Sequence, residues 1–188
     1  MIPELTTKRL VLNPFTLNDA PDVQRLAGDE AVSKLTSNVP YPYLDGMAED
    51  WISGHVPLAE AGRGLVWAIR ERQEGGLVGA VSLVNMVKSH QAELGFWLGR
   101  PFWGRGYMAE AGQAVLGMAF ERLKLKRVHA SHYGDNLASA RVLEKLGLHR
   151  EGCRQAHFMK NGQFHDQMLW GLLIEGWSTQ KAQKGKEE

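Results

Sequence analysis

Thiol chemistry is almost absent from this chain, whose one cysteine is Cys153. A single thiol closes no internal disulfide, and no Cys/His cluster has the spacing of a zinc site, so no metal is expected. A domain of 188 residues buries roughly 70% of the surface its unfolded chain exposes and needs no such staple. Scarce cysteine also suits a reducing, cytoplasmic compartment. An excess of one charge is missing too. The 22 basic and 21 acidic residues leave a formal charge of +1, which gives no general pull toward nucleic acid or membrane. No apolar run approaches a membrane span, and Met1-Ile2-Pro3-Glu4-Leu5 does not read as a signal peptide. There is no internal repeat and no low-complexity linker.

What is present reads as globular: 44% apolar and 23% charged residues. One α/β domain is expected over residues 5–177. A charged tail follows over 178–188, where the stretch from Lys181 lacks apolar anchors and is expected to be disordered. Arg9-Leu10-Val11-Leu12 reads as a short strand. Asn18-Asp19-Ala20-Pro21 opens a helix, and residues 29–43, with Pro40 and Pro42, read as a loop or broken helix. Leu44, Met47, Ala48, Trp51, Ile52 and His55 recur at helical spacing, which predicts a helix over 45–62. Strands are predicted over 65–70, 77–84 and 91–98, then a long helix over 107–122. A strand over 127–131, a helix over 136–146 closed by Gly147, and two strands turning at Asn161-Gly162 complete the chain. This mixed order predicts one central sheet with helices on both faces.

The most informative segment runs from Glu93 through Gly99-Arg100-Pro101-Phe102-Trp103-Gly104-Arg105-Gly106-Tyr107-Met108 to Ala111. A strand enters a tight glycine loop, and the loop opens the long helix. A helix N-terminus offers free N–H groups and partial positive charge, which suit phosphate. Gly104 and Gly106 let the backbone curl toward an anion, and Arg105 adds a charge. A plain strand-to-helix turn would use the same glycines for geometry alone. The segment is neither a G-x-G-x-x-G dinucleotide fingerprint nor a P-loop.

Here the sequence resembles the GCN5-related N-acetyltransferase (GNAT) superfamily, whose cofactor loop reads Gln/Arg-x-x-Gly-x-Gly/Ala. Trp103-x-x-Gly106-x-Met108 departs from it at both ends. The aromatic-Gly-x-Gly-aromatic form Trp103-Gly104-Arg105-Gly106-Tyr107, with Glu110-Ala111, is similar to the RimJ/RimL type that acetylates ribosomal-protein N-termini. Asn136-Leu137-Ala138-Ser139 through Lys145-Leu146-Gly147-Leu148 resembles the family's Asn-x-x-Ser-x-x-x-x-x-Lys-x-Gly-Phe segment. Glu151-Gly152 through Leu169 is similar to the subgroup's closing hairpin, and Thr6-Thr7-Lys8-Arg9-Leu10-Val11-Leu12 to its opening strand.

The resemblance implies a GNAT fold: a central, mixed, mostly antiparallel twisted sheet in which the fourth and fifth strands, residues 91–98 and 127–131, run parallel and splay apart. It implies acetyl-CoA as co-substrate, with the pantetheine arm in the gap on backbone groups of Phe96, Trp97 and Leu98. The cofactor set it implies also includes Trp103, Gly104, Arg105, Gly106, Tyr107, Met108, Asn136, Ser139 and Lys145. Acyl transfer to an amine needs a base, a donor to the developing oxyanion and a proton for the thiolate. Glu93, acting through water, is the candidate base, or else an edge glutamate in solvent. The Leu98 N–H is the candidate oxyanion donor. Ser139 is the candidate acid, with water or Tyr133 as replacements. Cys153 as an acetyl-accepting nucleophile is weighed against an inert thiol. His129, His132 and His165 match a metal set only by count. Trp51, Trp67, Trp97 and Trp103 either line an acceptor cleft or anchor core and loop.

The sequence leaves three functions open: acetylation of a protein N-terminal amine, acetylation of a small amine (polyamine, amino sugar or amino-acid-like toxin), and a non-catalytic CoA-binding module. Asp29, Glu30, Asp45, Glu49 and Asp50 would attract a polycation or serve as a solvated face. The chain is expected to be a monomer or homodimer.

Overall fold

The computed structural model describes residues 2–184. In chain order the elements are β1 (Leu5–Thr6), β2 (Leu10–Asn13), α1 (Ala20–Ala27), α2 (Glu30–Lys34), α3 (Met47–Ser53), α4 (His55–Glu60), β3 (Leu65–Glu71), β4 (Leu77–Val87), β5 (Gln91–Leu98), α5 (Tyr107–Gly117), β6 (Arg127–Tyr133), α6 (Leu137–Leu146), β7 (His149–Lys160), β8 (Gln163–Leu173) and α7 (Ile174–Lys184). The strands form one eight-stranded sheet in the order β1-β2-β3-β4-β5-β6-β8-β7. Every neighbouring pair is antiparallel except β5 and β6. This is the mixed, mostly antiparallel sheet expected, with its parallel pair where the resemblance puts it.

Helices cover both faces, and β3 carries the reason. Leu65, Trp67 and Ile69 join the core that includes Val115 and Leu116 of α5 and Leu143 of α6. Val66 and Ala68 point the other way, into the core that includes Val23 and Leu26 of α1 and Ile52 of α3. A strand buried on both sides is a continuous apolar run and does not alternate. Trp67 is fully buried, and its indole donates to the Pro3 carbonyl at 2.7 Å. Truncating it to alanine would cost about 3–5 kcal/mol.

The helix start at Asp19 depends on two partners. Asp19 is buried, and one carboxylate oxygen accepts the Thr16 N–H at 2.8 Å. The other accepts from the Arg70 guanidinium of β3 at 2.7 Å. Without them a buried carboxylate would be strongly disfavoured.

Several details of these elements differ from, or sharpen, the expected ones. The helix predicted over 45–62 is two helices, because Pro57 has no N–H for the Ser53 carbonyl and the chain turns at Gly54. The stretch over 29–43, expected as a loop or broken helix, opens with the short α2, capped by Asp29 Oδ1, which accepts the Ala31 N–H at 2.8 Å. The long helix is α-helical only to Gly117. Its last turn, Met118–Arg122, widens to a π-turn in which the Leu123 N–H reaches the Met118 carbonyl. The tail expected from residue 178 is helical through Lys184. Trp177 stacks on Phe120 at 5.7 Å, and Lys181 pairs with Glu121 at 2.6 Å, so the segment docks on the end of the long helix. The remainder of that tail reading, residues 185–188, lies outside the described residues.

Candidate active site

The sheet opens at its one parallel seam. The β5–β6 register comprises three pairs, Gln91↔Arg127, Ala92↔Val128 and Glu93↔His129, although β5 runs on to Leu98 and β6 to Tyr133. Beyond Glu93 the two strands stay paired to their outer neighbours and leave each other. The direction of the β5 backbone follows from two hydrogen bonds. The His90 carbonyl accepts from Arg127 N–H on the β6 side, and the Gly99 N–H donates to Val78 on the β4 side. Backbone groups alternate sides along a strand. Phe96 and Leu98 therefore aim N–H and C=O into the gap, while the Trp97 backbone faces Ala80 of β4. The structure thus corrects the expectation for Trp97: its main chain is turned away from the gap.

The glycine loop sits at the end of this gap. The Trp103 indole donates to the Leu98 carbonyl at 2.8 Å and folds the loop back on the strand. Gly104 and Gly106 both have φ of +76°, the left-handed region. At Gly106 that turn starts α5, whose first helical bond runs from Glu110 N–H to the Gly106 carbonyl at 3.1 Å. The N–H groups of Tyr107, Met108 and Ala109 lack helical acceptors and point off the helix end. The Tyr107 and Met108 side chains are buried, so their contribution there is backbone alone. The Tyr107 hydroxyl donates to Glu71, and the Arg105 guanidinium lies 3.7 Å from the same carboxylate. Behind the loop, Glu110 accepts from the Thr7 hydroxyl at 2.6 Å and from the Arg9 N–H at 2.8 Å, and pairs with the Arg9 side chain at 2.6 Å. Burial pushes the Glu110 carboxyl up, but these bonds outweigh it and hold it below its usual range.

On the α1/α3 side, a cavity of about 700 Å³ opens against the gap. Glu93, Leu94, Phe96, Ser131, Tyr133 and Ser139 line its gap side, and Trp51, His55, Trp97 and Tyr43 its far wall. Among the described residues its only charged lining side chains are the carboxylates of Asp50 and Glu93. Glu93 is half-buried and accepts from the Asn85 amide at 2.8 Å. The roof comes from the β7–β8 hairpin. Its Lys160 ammonium donates to the carbonyls of Ser33, Thr36 and Val39, and burial lowers its pKa.

Asn136 caps α6, accepting the Ser139 N–H at 3.0 Å, and its amide donates to Leu35 at 3.1 Å. It is a buried clasp between α6 and the loop after α2. Lys145 is exposed in the last turn of α6, about 13 Å of helix from Asn136. The structure does not bring it to Ser139. Tyr133 is buried under His165, stacked at 4.7 Å, and burial followed by the Asp135 charge raises its pKa.

The three histidines part company. The Trp170 indole, a donor only, gives its proton to His132 Nε2 at 2.9 Å, so the ring carries its own proton on Nδ1, 2.6 Å from the Tyr133 carbonyl. Burial lowers its pKa. His129 stands beside Glu93, and His165 lies 3.9 Å from Asp135. Among the described residues no His/Cys/Asp/Glu group could hold a metal. Cys153 is a free, exposed thiol on β7. The tryptophans divide as well: Trp51 and Trp97 line the cavity, Trp103 ties the loop, and Trp67 is core. Of the acidic cluster only Asp50 reaches the cavity; Asp29 caps α2, Glu30 pairs with Lys34 and Asp45 accepts from Gln24. Sequence reasoning missed Asn85, His55 and Lys160 as site residues. For His55 the signal was present, as the last apolar-face position of its helical repeat.

Comparison with known proteins agrees with this geometry. The family model described as "Acetyltransferase (GNAT) domain" matches residues 9–149. The uncharacterized N-acetyltransferase YoaA of Bacillus subtilis is 28% identical over 179 residues, covering 92% of this chain and 98% of YoaA. The [ribosomal protein uS5]-alanine N-acetyltransferase of Escherichia coli is 25% identical over 119 residues, 62% of this chain and 61% of that protein. Among solved structures, RimL, a ribosomal L7/L12 alpha-N-protein acetyltransferase in complex with coenzyme A, superposes with a TM-score of 0.84 at 20% identity, covering 93% of this chain and 99% of RimL. No helix among the described residues is long and apolar enough to cross a membrane. With the splayed seam, the glycine loop and the family match over residues 9–149 together, the chain belongs to the GNAT acetyltransferase family and is an acyltransferase.

Proposed function

We propose that this chain moves an acetyl group from acetyl-CoA to the α-amine of a protein N-terminus, in the cytoplasm, by direct attack in a ternary complex. Bound acetyl-CoA supplies the acetyl group as a thioester. The loop from Trp103 to Met108 holds the pyrophosphate on backbone N–H groups, with Arg105 nearby, and backbone groups of Phe96 and Leu98 hold the pantetheine arm. Glu93 takes the proton of the incoming ammonium through water. The Leu98 N–H donates to the carbonyl oxygen as charge builds there. The Ser139 hydroxyl, or Tyr133 beside it, protonates the departing thiolate. The fit to the cofactor rests on the left-handed glycines, the acceptor-free N–H groups at the start of α5 and the unpaired β5 edge.

The observation that carries the acceptor is the cavity's charge. Its lining holds two carboxylates and no lysine or arginine. An acceptor with a carboxylate or phosphate beside its amine finds no lysine or arginine in that lining, and the Lys160 ammonium on the roof is already engaged by the Ser33, Thr36 and Val39 carbonyls. A polyamine finds only Asp50 and Glu93. A peptide N-terminus is one ammonium followed by neutral amides, and it suits such a lining. A relative named as a [ribosomal protein uS5]-alanine N-acetyltransferase favours the same reading. The aromatic wall of Trp51, Trp97 and Tyr43 favours a second reading, a small monoamine with an apolar body.

Thiol release from acetyl-CoA separates them. The panel holds peptides with N-terminal Ala or Ser, spermidine, an aminoglycoside and an apolar monoamine such as phenethylamine. The proposal expects turnover with the peptides above all others. Turnover confined to spermidine or the aminoglycoside would overturn it. The Gly106→Glu variant, with bulk and negative charge at the loop, should lose the heat-shift given by coenzyme A.

A further inference from the structure

We infer that Arg9 is a positioning residue for the pyrophosphate loop: it aims the Gly106 N–H outward and cancels the Glu110 charge behind it. The inference rests on the reading of that loop as the phosphate cradle. Arg9 begins just before β2, 96 residues from Arg105, yet its Nη1 donates to the Arg105 carbonyl at 3.0 Å. That carbonyl belongs to the same peptide unit as the Gly106 N–H. In a trans peptide the two point in opposite directions. Holding the carbonyl toward Arg9 therefore turns the N–H to the far side of the loop, where the other free N–H groups of the helix start converge.

The rest of the guanidinium is fixed. Its Nε donates to Glu110 Oε2 at 2.6 Å, and Cζ lies 4.7 Å over the Tyr107 ring. Glu110 is in the first turn of α5, where a carboxylate favours the helix but opposes an anion docking at its end. Arg9 and Thr7 neutralise that opposition by taking both carboxylate oxygens. A Cβ built on Gly106 would lie 3.6 Å from Arg9 Nη2, so the guanidinium packs directly behind the turn. One side chain thus sets the direction of a donor and the local charge, without itself standing in front of the loop.

Titration calorimetry with coenzyme A and with pantetheine, which lacks the pyrophosphate, tests this. Arg9→Gln should weaken coenzyme A about tenfold and leave pantetheine unchanged. Its KM for acetyl-CoA should rise while KM for S-acetyl-pantetheine holds. Arg9→Lys keeps the charge without the fork and should fall between wild type and Arg9→Gln. Arg9→Gln with Glu110→Gln should recover part of the loss, because the uncompensated carboxylate is gone. Equal coenzyme A affinity in wild type and Arg9→Gln would overturn the inference. So would a loss shared equally by coenzyme A and pantetheine, which marks Arg9 as a fold contact only. Wild type that fails to bind coenzyme A is a separate result and overturns the phosphate-cradle reading itself.

Discussion

The indole N–H of Trp103 donates to the Leu98 carbonyl at 2.8 Å, so the last residue of β5 and the loop after it are closed on each other. The carbonyl is engaged while the Leu98 N–H remains directed into the gap. Trp103→Phe keeps the ring and removes the donor. It should raise KM for acetyl-CoA several-fold and lower stability by about 1 kcal/mol, read by initial rates and thermal melting. An unchanged KM would mean that the bond does not set the strand's end.

Glu93 lies where β5 and β6 part, held by the Asn85 amide at 2.8 Å. Glu93→Gln preserves shape and that contact but cannot accept a proton. Turnover should fall about 10²- to 10⁴-fold with coenzyme A affinity intact. Wild-type turnover in this variant would transfer the base role to a water chain.

His55 supplies a pH dependence. It is 6% exposed, neither ring nitrogen has a hydrogen-bond partner among the described residues, and Trp51 meets it edge-on at 4.4 Å. Burial pushes its pKa from the ordinary 6.5 down to about 4. The unfolded chain therefore binds this proton more readily than the folded one. The His55 contribution is fully present above pH 6.5 and is lost as pH falls toward 4, on the order of 3 kcal/mol in all. His129 and His132, also lowered by burial, act in the same direction. Urea unfolding at several pH values should show a smaller acid loss in His55→Phe than in wild type. Parallel curves would refute the assignment.

Lys160 closes the roof of the cavity through the carbonyls of Ser33, Thr36 and Val39. Lys160→Met keeps the stem and removes the ammonium. The loss should be about 1–3 kcal/mol, with faster amide exchange over residues 33–39 and a raised KM for the acceptor. The KM for acetyl-CoA should not move, since the clasp lies across the acceptor side.

The parts legible in the sequence were those set by local rules. The strand at Gln91–Leu98, the glycine turn at Gly104 and Gly106, the helix that begins at Asn136 and its Gly147 stop all follow from residue type and spacing. What stayed hidden was long-range. Arg9 and Glu110 are 101 residues apart and no periodicity connects them. The orientation of the Trp97 backbone depends on which neighbour takes the odd-numbered residues, and that is decided by register with β4. The end helix was missed because Ser178, Thr179 and Gln180 look like a tail, while its anchor, Trp177 on Phe120, is tertiary. Asp50 could not be told from its acidic neighbours until α3 was placed against the sheet.

Three residue pairs are all the register that joins β5 to β6. The eight strands are therefore two panels sharing a short seam, and a molecule lying in the open part would restore rungs that the polypeptide omits. Occupancy then enters folding as mass action: saturation at 100 times Kd adds about 2.7 kcal/mol. Substitutions near the seam should be tolerated in a cell rich in that molecule and exposed as instability when its supply falls.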